Sequence, residues 1–162
     1  MEKLKTIPTG SLVYVDETGI DQCLYREHAR APRGQKVIAK ISGRKFKRTN
    51  IVAGICQGKW VAPMCYSCST DSVLFEYWFK HYLLKEVAPG SVIILDNATF
   101  HKKSVIPLLA AQANCHLIFL PPYSPDLNPL EKRWAWLKQK LRETLHSFHS
   151  FDYALWSAFQ VE

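Results

Sequence analysis

The feature that most constrains this chain is a pair of short apolar runs that each meet an aspartate: Leu12-Val13-Tyr14-Val15-Asp16 and Val92-Ile93-Ile94-Leu95-Asp96. A short continuous apolar run, rich in β-branched side chains, reads as a strand covered on both faces. In open α/β sheets, ligands bind outside the carboxyl ends of strands. If these two strands are neighbours, their carboxylates meet there, and a divalent cation is the usual way to keep both ionised. The simpler reading is that each Asp starts a turn or caps the next element.

Punctuation places the other elements. Two β-branched-rich runs at 50–56 and 59–68, parted by Gln57-Gly58, read as a hairpin. Asp71 suits the N-cap of a helix reaching about residue 87, with Leu74, Trp78, Tyr82 and Leu83 on its apolar face and Pro89-Gly90 beyond its end. A helical segment near 103–113 carries Val105, Leu108, Leu109 and Ala113, with Pro107 in its first turn. A strand at 116–120 stops at Pro121-Pro122. From Asn128-Pro129 onward, Leu130, Trp134, Leu137, Leu141 and Leu145 form an apolar stripe at helical spacing. Trp156 and Phe159 suit a final helix or a subunit contact. Three strands followed by alternating helices and strands imply an α/β sheet covered on both faces.

The length of 162 residues suits a single domain over 1–162, and 48% hydrophobic and 12% aromatic residues suffice to fill its core. No apolar run approaches the ~20 residues of a membrane span. Lys3 and Lys5 are followed by Thr6-Ile7-Pro8-Thr9-Gly10, which breaks any signal-peptide core, so a cytoplasmic protein is expected. The formal net charge of +7 is concentrated between Arg26 and Arg48, where Arg26, Arg30, Arg33, Lys36, Lys40, Arg44, Lys45, Lys47 and Arg48 face a single acid, Glu27. Such clustering suits a polyanion, although a solvated face gives the same count. Five scattered cysteines argue against a disulfide framework, and Cys65-Tyr66-Ser67-Cys68, without a second Cys or His pair, reads as half-buried strand cysteines rather than a zinc half-site.

A third carboxylate, Glu131, follows the stiff lead-in Pro121-Pro122-Tyr123-Ser124-Pro125-Asp126-Leu127-Asn128-Pro129-Leu130. Asn128 and Glu131 alone read as a capping-box variant. But a proline-rich entry also aims the first helical turn at one place, as a metal ligand requires.

Taken together, Asp16-Glu17-Thr18, Leu95-Asp96-Asn97-Ala98 with His101 and Lys102, and the run from Leu120 through Glu131 to Trp134 resemble the catalytic domain of mariner-superfamily DDE transposases. The similarity is to the branch typified by insertion sequence 630, and it includes the 34 residues between Asp96 and Glu131. The resemblance implies an RNase H-like fold, a five-stranded mixed sheet with helices on both faces and the first and fourth strands adjacent. It implies that Asp16, Asp96 and Glu131 are the catalytic triad and hold two Mg²⁺ or Mn²⁺ ions for in-line displacement at phosphorus, with Asp16 bridging both. Asp126 is the rival third ligand. Asn97 and His101 match the family motif and would orient the carboxylate loop or contact a phosphate. Arg26, Arg30, Arg33, Lys36, Arg44, Lys45, Lys47 and Arg48 would hold DNA phosphates without reading sequence.

Complete members of that superfamily carry an N-terminal helix-turn-helix region for the transposon ends, and the resemblance leads us to expect this region to be absent here, since the first strand begins about ten residues after Met1. The resemblance therefore implies a metal-dependent DNA-cutting and strand-transferring enzyme, acting as a homodimer on paired ends, with a possible separately encoded helix-turn-helix partner. The alternative is a catalytically inactive DNA-binding or regulatory remnant. Activity on RNA–DNA hybrids is disfavoured by the Pro-Pro-Tyr-Ser-Pro lead-in.

Overall fold

The computed structural model of the chain describes residues 12–21, 32–36, 47–122 and 124–160. Five strands, β1 (Leu12–Asp21), β2 (Arg48–Cys56), β3 (Lys59–Tyr66), β4 (Val92–Leu95) and β5 (His116–Phe119), form one sheet in the order β3-β2-β1-β4-β5. β1 pairs antiparallel with β2 and parallel with β4, and β5 is parallel to β4. The sheet is therefore mixed, and its first and fourth strands are neighbours. The expected hairpin is present: Gln57 and Gly58 both have positive φ (50° and 81°), the backbone that a two-residue turn between twisted strands demands.

One expectation is corrected at β1. The strand does not stop at Asp16 but runs five residues further, because β2 pairs with it as far as Asp21 while β4 pairs with it only to Tyr14. Asp16 thus lies inside a strand, at the point where one of its two neighbours ends.

Side chains alternate across the sheet. Val13, Val15, Val52, Ile93 and Leu95 face one layer of helices, whereas Ile20, Ile51, Ala53 and Ile55 face another. The first layer contains α1 (Ser72–Trp78), which continues through a π-helical turn (Phe79–Leu83) into α2 (Leu84–Glu86), and α3 (Ile106–Gln112). Asp71 caps α1 as expected, its Oδ1 accepting from the Leu74 amide at 2.8 Å. The buried stripe is Phe75, Trp78, Phe79 and Leu83. Tyr82, expected inside, is 44% exposed: the two phenylalanines bring more apolar area, and the tyrosine hydroxyl is better hydrated outside. A β-bulge between β2 and β3 leaves Ala62 at φ 48° and aims its peptide at this layer. Trp78 Nε1 donates to the Ala62 carbonyl, and the Ala62 amide donates to Glu86 Oε2, both at 2.8 Å.

In α3, Pro107 occupies the first turn as expected. Its buried residues are Ile106 and Ala110, however, and Leu108 points outward. The second layer is α4 (Leu130–Thr144) with α5 (Phe151–Gln160). Leu130, Trp134, Leu137 and Leu141 are buried as the stripe requires, with Leu145 packed at its end. α5 buries Phe159 and leaves Trp156 half exposed. Cys65 and Cys68 are free thiols. Among the described residues no helix is long and apolar enough to cross a membrane.

Candidate active site

β1 and β4 pair at a constant offset of 80 residues, Leu12 with Val92 through Tyr14 with Ile94. Continuing that offset past the last pair sets Asp16 beside Asp96, where β4 has given way to loop. Glu131 arrives from the opposite layer, in the first turn of α4. Asn128 fixes that turn: its Oδ1 accepts from the Leu130 amide at 3.1 Å, and its carbonyl accepts from the Glu131 amide at 3.3 Å. The three carboxylates line one cavity of about 390 Å³, together with Asn97, Thr99, Ser124 and the Pro121-Pro122 wall. Asp126 is exposed and lies outside it.

Strand alternation separates Asp16 from its neighbour Glu17. Asp16 turns towards α4, where its Oδ2 accepts from Trp134 Nε1 at 3.1 Å. Glu17 turns to the other face and meets His101, whose ring packs on Phe75 of α1 with centroids 4.2 Å apart. His101 is 2% exposed. Its Nε2 lies 3.2 Å from Glu17 Oε1, and its Nδ1 lies 3.1 Å from Asp96 Oδ1 and 3.3 Å from the Asp96 carbonyl. Asp96 Oδ1 also accepts from the Ala98 amide at 3.0 Å.

These contacts set the charges. Burial, aided by the negative charges of Glu17 and Glu131, pushes the Asp16 carboxyl up to about 7 against the pull of the Glu17 amide and Trp134. Burial likewise raises Glu17, opposed by His101. The hydrogen bond from His101, helped by the Ala98 amide, holds Asp96 below the usual carboxylate range despite its partial burial. For His101 burial alone would lower the pKa, but hydrogen bonds to Asp96 and Glu17, with their charges, lift it to about 9. At neutral pH the ring is an imidazolium: Nε2–H donates to Glu17 Oε1, and Nδ1–H is shared between the Asp96 carbonyl and its carboxylate oxygen Oδ1.

Among the described residues, no three His, Cys, Asp or Glu side chains stand close enough to form a closed metal cluster. The carboxylates share the cavity without contracting into one coordination sphere. Their chemistry nevertheless fits a hard divalent cation: the donors are oxygens, and Asp16 is a half-buried acid whose ionisation is opposed by desolvation and by the charges of Glu17 and Glu131.

Of the basic residues singled out from the sequence, Arg33, Lys36, Lys47 and Arg48 are exposed. Arg26, Arg30, Lys40, Arg44 and Lys45 lie outside the described residues. The Arg48 guanidinium lies across Gly19 of β1, where a Cβ would collide with it, and its Nε donates to Asn50 Oδ1 at 3.2 Å. Sequence reasoning assigned no role to Glu17 or to the Trp134 indole. The available signals were a charged residue inside a strand, one step out of phase with Asp16, and a tryptophan one turn after Glu131.

Over residues 11–153 the sequence matches the DDE superfamily endonuclease family, and the chain belongs to it. It is 46% identical over 48 residues to an uncharacterised protein of Sinorhizobium fredii (30% of this chain, 33% of the relative). It is 32% identical over 68 residues to the transposable element Tc1 transposase of Caenorhabditis elegans (42% of this chain, 25% of the relative). Its fold is similar to Mos1 transposase in the strand transfer complex (TM-score 0.68) and in the mariner paired-end complex with Mg (TM-score 0.67). In both, 98% of this chain aligns with 54% of the Mos1 chain at 15% identity. The sheet is thus RNase H-like, as the sequence led us to expect. The chain spans about half the Mos1 chain and matches a third or less of either relative.

Proposed function

We propose that this chain is the catalytic domain of a transposase of the insertion sequence 630 branch, cutting DNA strands at element ends and transferring them to target DNA. The observation that carries this reading is that Asp16 within β1, Asp96 just past the carboxyl end of β4 and Glu131 in the first turn of α4 line one cavity. We propose that these three residues would hold the Mg²⁺ or Mn²⁺ ions, two in number, that such chemistry uses. When bound, the ions supply Lewis-acid activation of water or a 3′-hydroxyl and neutralise the charge on the leaving 3′-oxygen.

The chain's own residues do the holding. Trp134 fixes one oxygen of Asp16, and His101 with the Ala98 amide fixes one oxygen of Asp96, so neither carboxylate rotates freely. Asn97, which lines the cavity, would orient the carboxylate loop or contact a phosphate. The exposed Arg33, Lys36, Lys47 and Arg48 offer phosphate contacts that carry no sequence information. The Mos1 structures it resembles are strand transfer and paired-end complexes. By analogy we propose that this domain works as a homodimer on paired ends, with end recognition supplied by a helix-turn-helix region or a separate protein.

Nicking of supercoiled DNA in Mn²⁺ tests the reading. The wild-type chain is expected to nick and Asp96→Asn to lose nicking with its fold intact by circular dichroism; equal nicking by the variant would sink the assignment. DNA binding without cleavage in any divalent metal, unchanged when all three carboxylates are replaced, would instead establish a regulatory remnant. Faster cleavage of an RNA–DNA hybrid than of duplex DNA would redirect the substrate.

A further inference from the structure

We propose that Glu17 is a positioning residue: acting through His101, it fixes the Asp96 carboxylate in the orientation that metal binding requires. The inference rests on the metal-binding role assigned above to Asp96. Although adjacent to Asp16, Glu17 does not line the cavity, because strand alternation sends it to the opposite face of the sheet. Its side chain is only 13% exposed. A carboxylate placed there is costly unless a partner compensates it, and that partner is His101 Nε2 at 3.2 Å.

The His101 ring has little freedom. Phe75 and Phe100 pack against it with centroids at 4.2 and 4.6 Å, and its side chain is 1% exposed. With Nε2 tied to Glu17, Nδ1 can point only at Asp96, where it is shared between the backbone carbonyl at 3.3 Å and Oδ1 at 3.1 Å, and Oδ1 also accepts from the Ala98 amide. Oδ2 is left without a protein donor among the described residues, in a carboxylate that is 45% exposed and lines the cavity. The order is buried carboxylate, histidine, ligand carboxylate. Outer partners of this kind orient a ligand, and their loss typically costs about 10–100-fold in metal affinity.

The test is Mn²⁺ binding itself, followed by the electron paramagnetic resonance signal of free Mn²⁺ during titration of wild type, Glu17→Gln, Glu17→Ala and Asp96→Asn. Thermal melting without metal is recorded alongside. Glu17→Gln keeps an acceptor but not the charge, and about a tenfold weaker Mn²⁺ affinity is expected from it, with a metal-free melting temperature equal to or above wild type. Glu17→Ala is expected to lose affinity further, towards about 100-fold. Unchanged affinity in both Glu17 variants overturns the proposal. So does an affinity loss that appears only together with a fall in melting temperature, since that marks Glu17 as a merely structural residue. If Asp96→Asn itself binds Mn²⁺ like wild type, the metal assignment has failed and the role of Glu17 falls with it.

Discussion

Asp16 stands inside β1, beneath α4, with an indole N–H on one oxygen and two other carboxylates close by. Asp96 stands just past β4, half exposed, with an imidazolium and a backbone amide on one oxygen. Both follow an apolar strand run, and the strand register aligns them, yet their acidities are driven in opposite directions: Asp16 up to about 7, Asp96 below its ordinary value. Position along a strand therefore does not decide how such a group behaves. What decides it is which face the side chain takes and what the second layer of residues offers there. At neutral pH Asp96 carries its charge readily, whereas the surroundings of Asp16 oppose its ionisation.

The largest expected effect abolishes the comparison altogether. Replacing any of Asp16, Asp96 or Glu131 by its amide should reduce Mn²⁺-dependent nicking by more than about 100-fold, beyond what loss of an outer partner costs. Next in size, the two aspartates should move metal-free stability in opposite directions. At pH 8, Asp16→Asn is expected to stabilise by about 1–3 kcal/mol, because it removes a buried charge whose ionisation the fold opposes. Asp96→Asn is expected to destabilise by at most about 1 kcal/mol, since its exposure screens the pair with His101. Denaturant melts of both variants in chelator decide the point; shifts of the same sign would contradict the contrast.

The pH dependence sharpens it. Asp16 binds its proton more tightly folded than unfolded, so its contribution to metal-free stability is complete below about pH 4 and is lost as pH rises through about 7. His101 contributes fully below about 6.5 and loses its contribution as pH rises through about 9. Asp96 behaves conversely, its contribution present above about 4 and lost as pH falls through its lowered folded value. Metal-free stability should therefore decline from mildly acidic to alkaline pH. Mn²⁺ affinity should climb up to about tenfold per unit below pH 7, and level off above it as the Asp16 proton is lost. Calorimetric titrations at pH 5.5, 6.5 and 7.5 measure this, and a flat profile would contradict it.

Smaller effects test the supports. Trp134→Phe keeps the ring but removes the donor to Asp16, and is expected to cost about 1 kcal/mol in melts at pH 8 and a few-fold in Mn²⁺ affinity. Arg48→Ala should weaken DNA binding alike for all sequences and reduce the salt dependence by about one phosphate contact, as measured by fluorescence anisotropy across a salt series.

Much of this architecture was legible in the chain. The apolar runs before Asp16 and Asp96 located two strands that prove to be neighbours, Gln57-Gly58 located the hairpin, and the stripe from Leu130 to Leu141 located the helix bearing Glu131. The site shows why the remainder was not. β1 outruns Asp16 because of pairing with β2, a long-range contact that no local pattern displays. Glu17 lies 84 residues from His101, and only the sheet and α1 together bring them within 3.2 Å. Tyr82 and Leu108 have apolar bodies at plausible helical positions, but Phe75, Phe79, Ile106 and Ala110 win the buried faces.

The central claim is that Asp16, Asp96 and Glu131 together hold a divalent cation. An anomalous difference map from crystals of this chain soaked in Mn²⁺ addresses it most directly. A peak is expected between Asp16 and Asp96, with Glu131 within reach of it. Saturating Mn²⁺ with the three carboxylates facing one another and no peak between them, or a peak bound elsewhere on the chain, would contradict it.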